Sequence, residues 1–537
     1  MLFCSEQYLV FFTLIFVVYW SLPHVGVRLG VLLAAAVVLT WNAASWMSLL
    51  ATLDPVIILN NLLASHYQDT LAAIVLLGAL AAFVVGADRG RVWLLLLASY
   101  FFYASWNHWL AGLIFLSTTI DYWIGRGLDA WTSPRGRRVL LGVSLIANLG
   151  LLCYFKYVNF FLESLEQALR AAGGTTSLPL LQVILPIGIS FYTFEAINYT
   201  IDVYRRKAPA ERNLANFMLF ITFFPHLVAG PIVRAKDFLP QIERVKQWNW
   251  SRLQLGAQYF LLGLFKKLAI ADRMAVYADP VFADPSAFSS HVVWLAALAY
   301  ALQIYCDFSG YTDMALGSAH MLGYKLAMNF NMPYLSKNIS EFWRRWHISL
   351  STWLRDYLFI PLGGSRNGSW QTARNLMITM TLGGLWHGAN WTFVIWGMLH
   401  GTLLIGHRAF RSFSQGMPRL DSLLQSHPGI WLRIGLTFST VSLCWIFFRA
   451  QTLTDALTFL HRMFIPFKGR GAEMHNISLF VTLAVMLLCH ILVQRGWWRR
   501  LAIRLPAPVM GFGYAAVLTL ALMLAPDAGK AFIYFQF

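Results

Sequence analysis

Long stretches of this chain show no alternation between apolar and polar residues, and that limits its fold more than any other feature. The windows Thr70–Val85, Val139–Tyr154, Leu479–Val493 and Met510–Ala525 are almost continuously apolar. Several windows approach the roughly 20 residues that a helix needs to cross a bilayer. Backbone in lipid has no water to bond with, which leaves only helices or a closed barrel. Barrel strands alternate with a period of two, and these windows do not. The expected fold is an all-α, polytopic membrane protein. Composition agrees: only 12% of the 537 residues are charged and 58% are hydrophobic, where a soluble protein carries about 25% charged residues.

The apolar runs fall near 8–22, 27–41, 70–86, 92–105, 108–124, 139–160, 180–201, 214–233, 253–272, 292–308, 375–406 (read as two elements), 431–449, 477–493 and 509–526. Trp46–Leu63 fits a segment lying at the interface. The first run, Tyr8–Leu22, has no basic residue before it and no small-residue cleavage site after it, so a retained helix is expected rather than a removed signal peptide. No internal repeat of the transporter kind is visible.

A net charge of +17 would point a soluble protein towards nucleic acid. Here it fits Lys and Arg collected in short cytoplasmic loops, such as Arg205/Arg206/Lys207/Arg212 and Arg408/Arg411. No nucleic-acid partner is expected. The five cysteines are scattered through mostly apolar stretches with no C-x-x-C, so they read as small core residues rather than a disulfide frame or zinc site.

Three segments do not read as plain spans. Residues 214–233 contain Pro225, His226, Gly230 and Pro231 between two basic loops, and must dip in and return if both loops are cytoplasmic. Residues 309–340 are rich in Gly, Asn and Ser. The stretch 341–361 holds Glu341, Arg344, Arg345, Arg355 and Asp356. In a lipid-facing span those charges would cost about 12 to 17 kcal/mol. It must therefore lie at the interface, re-enter, or line a protein-walled cavity. Glu341 and Arg345, one turn apart, can pair.

Two tryptophan-preceded histidines stand out in this setting: His347 in Glu341-Phe-Trp-Arg-Arg-Trp-His and His387 in Leu382-Gly-Gly-Leu-Trp-His-Gly-Ala-Asn. An ionisable ring at membrane depth is costly and calls for a functional explanation, and imidazole can exchange a proton near neutral pH. Gly383, Gly384 and Gly388 allow close approach around His387, Trp386, Trp391 and Trp396 offer walls, and Asn390 can orient a ring. A buried histidine bonded to a neighbouring helix, with the glycines serving helix packing, fits the same residues. His347, with Arg344 before it and Ser351 after it, fits either chemistry or an interfacial helix. Arg344, Arg345 and Arg355 suit an anion such as a donor's phosphates. Asp307, Ser309, Tyr311 and Asp313 form a polar patch at the end of an apolar run, read first as carboxylates pairing with the arginines or fixing a tunnel wall. His226 reads as loop-shaping; His320, His400, His407, His461 and His490 read as background. There is no G-x-S-x-G, H-E-x-x-H, H-x-x-x-D box, Walker loop or G-x-G-x-x-G following a strand. Serine hydrolases, zinc proteases and ATP-driven pumps are disfavoured, and no metal site is expected.

Seven ordered motifs carry a resemblance. They are Ala98-Ser-Tyr-Phe-Phe-Tyr-Ala-Ser-Trp, Tyr154-Phe-Lys-Tyr-Val-Asn-Phe-Phe, Leu185-Pro-Ile-Gly-Ile-Ser-Phe-Tyr-Thr-Phe-Glu, Phe223-Phe-Pro-His-Leu-Val-Ala-Gly-Pro-Ile-Val-Arg, Asp307-Phe-Ser-Gly-Tyr-Thr-Asp-Met-Ala, Phe342-Trp-Arg-Arg-Trp-His-Ile-Ser-Leu-Ser-Thr-Trp and Leu382-Gly-Gly-Leu-Trp-His-Gly-Ala. Together they resemble the membrane-bound O-acyltransferase family, in its bacterial branch that acetylates alginate or D-alanylates teichoic acid. Arg355-Asp-Tyr-Leu-Phe-Ile-Pro-Leu-Gly-Gly is more similar to the alginate type. The resemblance implies a ring of transmembrane helices with re-entrant segments around a central tunnel, and a catalytic core at 92–410. N-terminal helices at 1–91, with an apparent insertion before the Ser-Tyr-Phe-Phe-Tyr motif, and C-terminal helices at 411–537 would flank it.

By the same resemblance His387 matches the family's essential histidine and His347 its second marked one. The implied activity moves an acyl group, most simply acetyl, from a cytoplasmic thioester donor such as acetyl-CoA to an extracytoplasmic hydroxyl. No bound cofactor is implied. Arg344, Arg345 and Arg355 would hold the donor's phosphates, Asp307, Ser309 and Tyr311 would border the tunnel, and Asn390 or a backbone N–H beside Gly388 would face the oxyanion. The acceptor would be a polysaccharide or a periplasmic acetyltransferase partner, and the location the bacterial inner membrane. D-alanyl transfer from a carrier protein and a non-enzymatic acyl conduit or transporter are the competing expectations.

Overall fold

A computed structural model describes residues 3–41, 67–174, 177–472, 474–497, 500, 504–526 and 532–533. The proposed interfacial segment Trp46–Leu63 lies outside the described residues. Among those described, the chain is helical throughout, with only an isolated bridge between Phe288 and Arg470. Five helices among the described residues are long and apolar enough to cross a membrane: Pro134–Ala171, Ser290–Met321, His427–Arg449, Asn476–Gln494 and Ala507–Leu524. The protein is an all-α, polytopic membrane protein. Its helices start where side chains can satisfy their first N–H groups: Ser5 accepts from Tyr8 at 3.2 Å, Asn107 from Leu110 at 3.2 Å, and Thr452 and Asp455 form a capping box.

The chain divides into two compact units. The first comprises Met1–Val158, Leu181–Phe260 and Met314–Ala327. Its centre is the helix Ile189–Tyr204, of whose residues only Ile201 and Tyr204 escape full burial. Beside it lies the segment 214–233, which is no continuous span. The helix Leu214–Thr222 has 9 residues and reaches about 13 Å, less than half the roughly 30 Å of hydrocarbon. The backbone from Phe223 to Val233 is not helical yet wholly buried, which membranes tolerate only inside protein. Its polar groups find partners. Val233 donates its N–H to Glu195 Oε1 at 2.8 Å and accepts from Asn198 Nδ2 at 3.0 Å, while Ser99 Oγ accepts the Phe224 N–H at 3.1 Å. Glu195 also faces His226 Nδ1 at 3.2 Å. Gly188, at φ +76°, lets the helix start approach this loop; a Cβ there would meet the Leu227 carbonyl oxygen at 2.6 Å. His226 does shape a loop, as expected.

The second unit comprises Asn159–Leu180, Leu261–Asp313 and Met328–Phe537. The polar patch follows the apolar run without ending its helix. Ser290–Met321 is one helix of 32 residues running straight through Asp307 and Asp313. The carboxylates need no helix end because two lysines, Lys267 buried and Lys266 partly so, neutralise them, and those partners are not the expected arginines. Lys267 Nζ reaches Asp272 Oδ1 and Asp307 Oδ1, both at 2.8 Å, and Lys266 Nζ reaches Asp313 at 2.6 Å. Both lysines sit in the π-helical turn Lys266–Ala271, a wider turn that often marks functional positions. The stretch 341–361 is no span. It breaks into the helices Ile339–Arg345 and Ile348–Leu354 and a π-helical turn Arg355–Phe359.

Candidate active site

The break between the first two of those elements aims His347. Asn338 caps Ile339–Arg345 by accepting the Glu341 N–H at 2.8 Å, and Glu341 pairs with Arg345 at 2.7 Å. The helix then stops, and His347 takes φ +43° and ψ 55°, a left-handed conformation that costs a non-glycine residue about 1–2 kcal/mol. Asn329 holds it there. The Asn329 carbonyl accepts the Ile348 N–H at 2.9 Å, and its Oδ1 accepts the Ser349 N–H at 3.1 Å. Asn331 adds a third tie by donating its N–H to the Arg345 carbonyl at 3.0 Å. Asn329 thus caps the second helix from outside, a role that the sequence reading missed. The result buries the His347 ring completely, edge-on to Phe308 at 4.7 Å.

His387 is the last residue of the helix Ser369–His387, and the helix Trp391–Gln415 begins directly after the bend. The two cross without side chains between them. A Cβ on Gly384 would meet the Phe393 carbonyl oxygen at 2.2 Å, and one on Gly397 the Met380 carbonyl oxygen at 2.3 Å. The bend returns Trp396 to the His387 ring at 5.2 Å, beside Trp386 at 5.0 Å and Phe448 at 5.1 Å. His347 completes the surround, its ring centroid 6.3 Å from that of His387. His387 remains 5% exposed.

The other expected residues divide. Trp391 is half exposed and bonds Ser164 at 3.1 Å, away from the His387 ring. Asn390 accepts the Thr392 N–H at 2.9 Å as a helix cap and donates to the Gln451 carbonyl at 2.8 Å. Asp307 is buried, and besides Lys267 it accepts the Ile533 N–H at 2.6 Å. Ser309 and Tyr311 are buried on the same helix, and Tyr311 stacks on Phe532 at 4.5 Å. Phe308, next to Asp307, links this group to the His347 ring. Arg345 and Arg355 are occupied by Glu341 and Asp356, each at 2.7 Å.

One histidine taken as background belongs here. His400 is fully buried, accepts the Trp343 indole N–H through Nδ1 at 3.3 Å, and lies 4.7 Å from Trp396. It therefore touches both the helix leading into His347 and the ring backing His387. The signal was present as spacing, since Trp396 and His400 are one turn apart on one face.

Trp386, Trp396, Phe308 and Phe448 thus enclose two imidazoles. A match to the membrane-bound O-acyltransferase family covers residues 172–449, which include both rings. The chain belongs to this family. Like the family it is an O-acyltransferase, in a multi-pass membrane setting. It is 41% identical to a probable alginate O-acetylase of Pseudomonas putida over 85% of this chain and 97% of that one. It is 43% identical to a probable alginate O-acetylase of Azotobacter vinelandii over 77% of this chain and 81% of that one. A peptidoglycan O-acetyltransferase of Helicobacter pylori is 40% identical over 70% and 73%. A teichoic acid D-alanyltransferase of Streptococcus thermophilus is 29% identical over 49% and 68%. In this acyltransferase His347 sits between two helices of 7 residues each, whereas His387 ends a regular helix of 19.

Proposed function

We propose that the protein transfers an acetyl group from a cytoplasmic thioester donor to a hydroxyl on an extracytoplasmic polysaccharide, directly or through a periplasmic partner, in the bacterial inner membrane. His387 acts as the base. The hydroxyl oxygen attacks the thioester carbonyl carbon while His387 takes the hydroxyl proton, a contribution of about 10² to 10⁴ in rate. The tetrahedral intermediate places negative charge on the former carbonyl oxygen, which backbone N–H groups beside Gly388 would receive. Collapse breaks the carbon–sulfur bond, and the departing thiolate recovers the proton from His387. His347 holds the second wall of the pocket, and Asp307, Ser309 and Tyr311 shape its flank.

The observation that carries this reading is the edge-to-face approach of His347 and His387 at 6.3 Å inside an aromatic enclosure. The choice of acetyl over D-alanyl draws on the O-acetylating relatives, each at least 40% identical over at least 70% of the chain. Purified protein given a radiolabelled acetyl thioester tests it. Labelled product from the native protein and none from His387→Ala is expected. Transfer of D-alanine from a carrier protein, with indifference to acetyl-CoA, would replace the acetyl reading.

A further inference from the structure

Indole N–H groups near the two histidines meet different fates. Trp343 gives its N–H to His400 Nδ1 at 3.3 Å. Trp396 is 1% exposed, and its Nε1 is buried with no hydrogen-bond partner among the described residues. The rings around this indole are His400 at 4.7 Å, His387 and Phe448 at 5.2 Å, Trp445 at 5.6 Å and Trp343 at 5.8 Å. Phe448 and the two tryptophans offer no oxygen or ring nitrogen that accepts.

The two imidazoles do not serve either. His400 already accepts from Trp343 through Nδ1, so the neutral ring carries its proton on Nε2, and that nitrogen is itself a donor. His387, as the base, keeps its lone pair for the hydroxyl proton. Thr392 Oγ1 and His400 Nε2, one turn to either side of Trp396 on the same helix face, are likewise buried without a partner among the described residues. A buried donor left unmet is costly, and native structures retain few that have no use. This one is also fixed in place. Gly397 brings the backbone beside Trp396 against the Met380 carbonyl, so the indole cannot retreat with its helix.

We propose that the Trp396 N–H is a catalytic hydrogen-bond donor to the acyl carbonyl oxygen of the thioester, acting beside the backbone N–H groups near Gly388. The base touches the attacking oxygen and the donor touches the carbonyl oxygen, each across about 3 Å, and both oxygens sit on one carbon. Base and donor therefore belong several ångströms apart, as the rings of His387 and Trp396 are. When the hydroxyl oxygen bonds to the carbon, the electron pair of the C=O bond moves onto oxygen and the hydrogen bond strengthens, while the indole keeps its proton. When the carbon–sulfur bond breaks, that pair returns and the carbonyl reforms. The proposal rests on the acyl transfer argued above but not on the choice of acetyl, since any thioester gives the same oxyanion.

The test compares full-length native protein in phosphatidylcholine nanodiscs with two variants that lack the N–H. One is Trp396→Phe; the other carries 3-benzothienylalanine at position 396, which keeps the indole outline and puts sulfur in place of N–H. For labelled acetyl-CoA, kcat is expected to fall about 10² in both, with the donor KM within about twofold. The benzothienyl protein should melt no earlier than the native one, and S-ethyl coenzyme A, a thioether without the carbonyl, should bind it equally well. A purely structural indole would instead lower the melting temperature and leave kcat intact. Should Trp396→Phe melt early, the benzothienyl protein decides. If the native protein consumes only a D-alanyl carrier thioester, the same comparison is made with that donor. A native protein inactive on both removes the acyl-transfer reading and this proposal with it. With an active native protein, a benzothienyl variant whose kcat stays within about threefold overturns this proposal alone.

Discussion

The imidazole of His347 meets that of His387 at 60° with 6.3 Å between centroids, although one sits on a strained bend and the other ends a regular helix. Side chains acting as one unit lose their effect together rather than additively. His387→Ala is expected to lower kcat by about 10² to 10⁴. His347→Ala should lower it less, and the double variant should be no slower than His387→Ala alone. Rates of labelled thioester consumption, normalised to folded protein in the membrane, check this. Multiplying losses would separate the two rings functionally.

Asn329 carries the strain of the His347 bend. Asn329→Ala removes the bond to the Ser349 N–H and leaves the backbone bond to Ile348 in place. The expected cost is about 0.5–2 kcal/mol, as for a lost helix cap, seen as a lower melting temperature. Activity should fall by more than stability alone requires, because the bend aims the ring. An Asn329→Ala protein with native activity would show that the bend holds itself.

Lys267 lies between Asp272 and Asp307 in a buried setting. Lys267→Met leaves two carboxylates facing each other without their shared cation, and removing one partner of a buried pair costs about 3–5 kcal/mol. Lys267→Met should express poorly or melt early, and adding Asp307→Asn should restore part of the loss. Thermal unfolding in detergent measures both. A double variant less stable than Lys267→Met would argue against charge balance as the cause.

His400 and Trp343 give a sharper test of positioning. Trp343→Phe and His400→Leu each remove the same hydrogen bond, so the double variant should lose little more than either single one. Both should lower kcat while leaving the donor KM within about twofold, the pattern of a lost transition-state interaction.

Element types were legible because long apolar runs in lipid admit few solutions, and the split of 375–406 followed from the Gly-rich bend at His387. The carboxylates of the polar patch are paired, as expected, but with Lys266 and Lys267 rather than arginines; these lysines come from another element, and charge balance across elements leaves no local pattern. Asn329 was invisible for the same reason, lying well ahead of the helix it caps. His400 was passed over although its spacing from Trp396 was available, since one histidine on an apolar face is usually core. The break in 214–233 could be read because Pro225, Gly230 and Pro231 declare it locally.

Glycines offer a contrast in the same membrane. Gly142 and Gly150, inside Pro134–Leu152, have open space where a Cβ would go, so Ala at either should stabilise by about 0.5–1 kcal/mol. Gly384→Ala and Gly397→Ala should destabilise by about 1–3 kcal/mol through overpacking. Parallel melts of the four variants check the opposite signs.

The bare glycine seam behind His387 also bears on what can move. Two helices in backbone-to-backbone contact cannot slide or part without opening a void that neither can fill, so they behave as a fixed anvil. Any adjustment that admits a bulky acyl donor and releases a shortened one therefore falls to the opposite side, where a single left-handed residue joins two short helices.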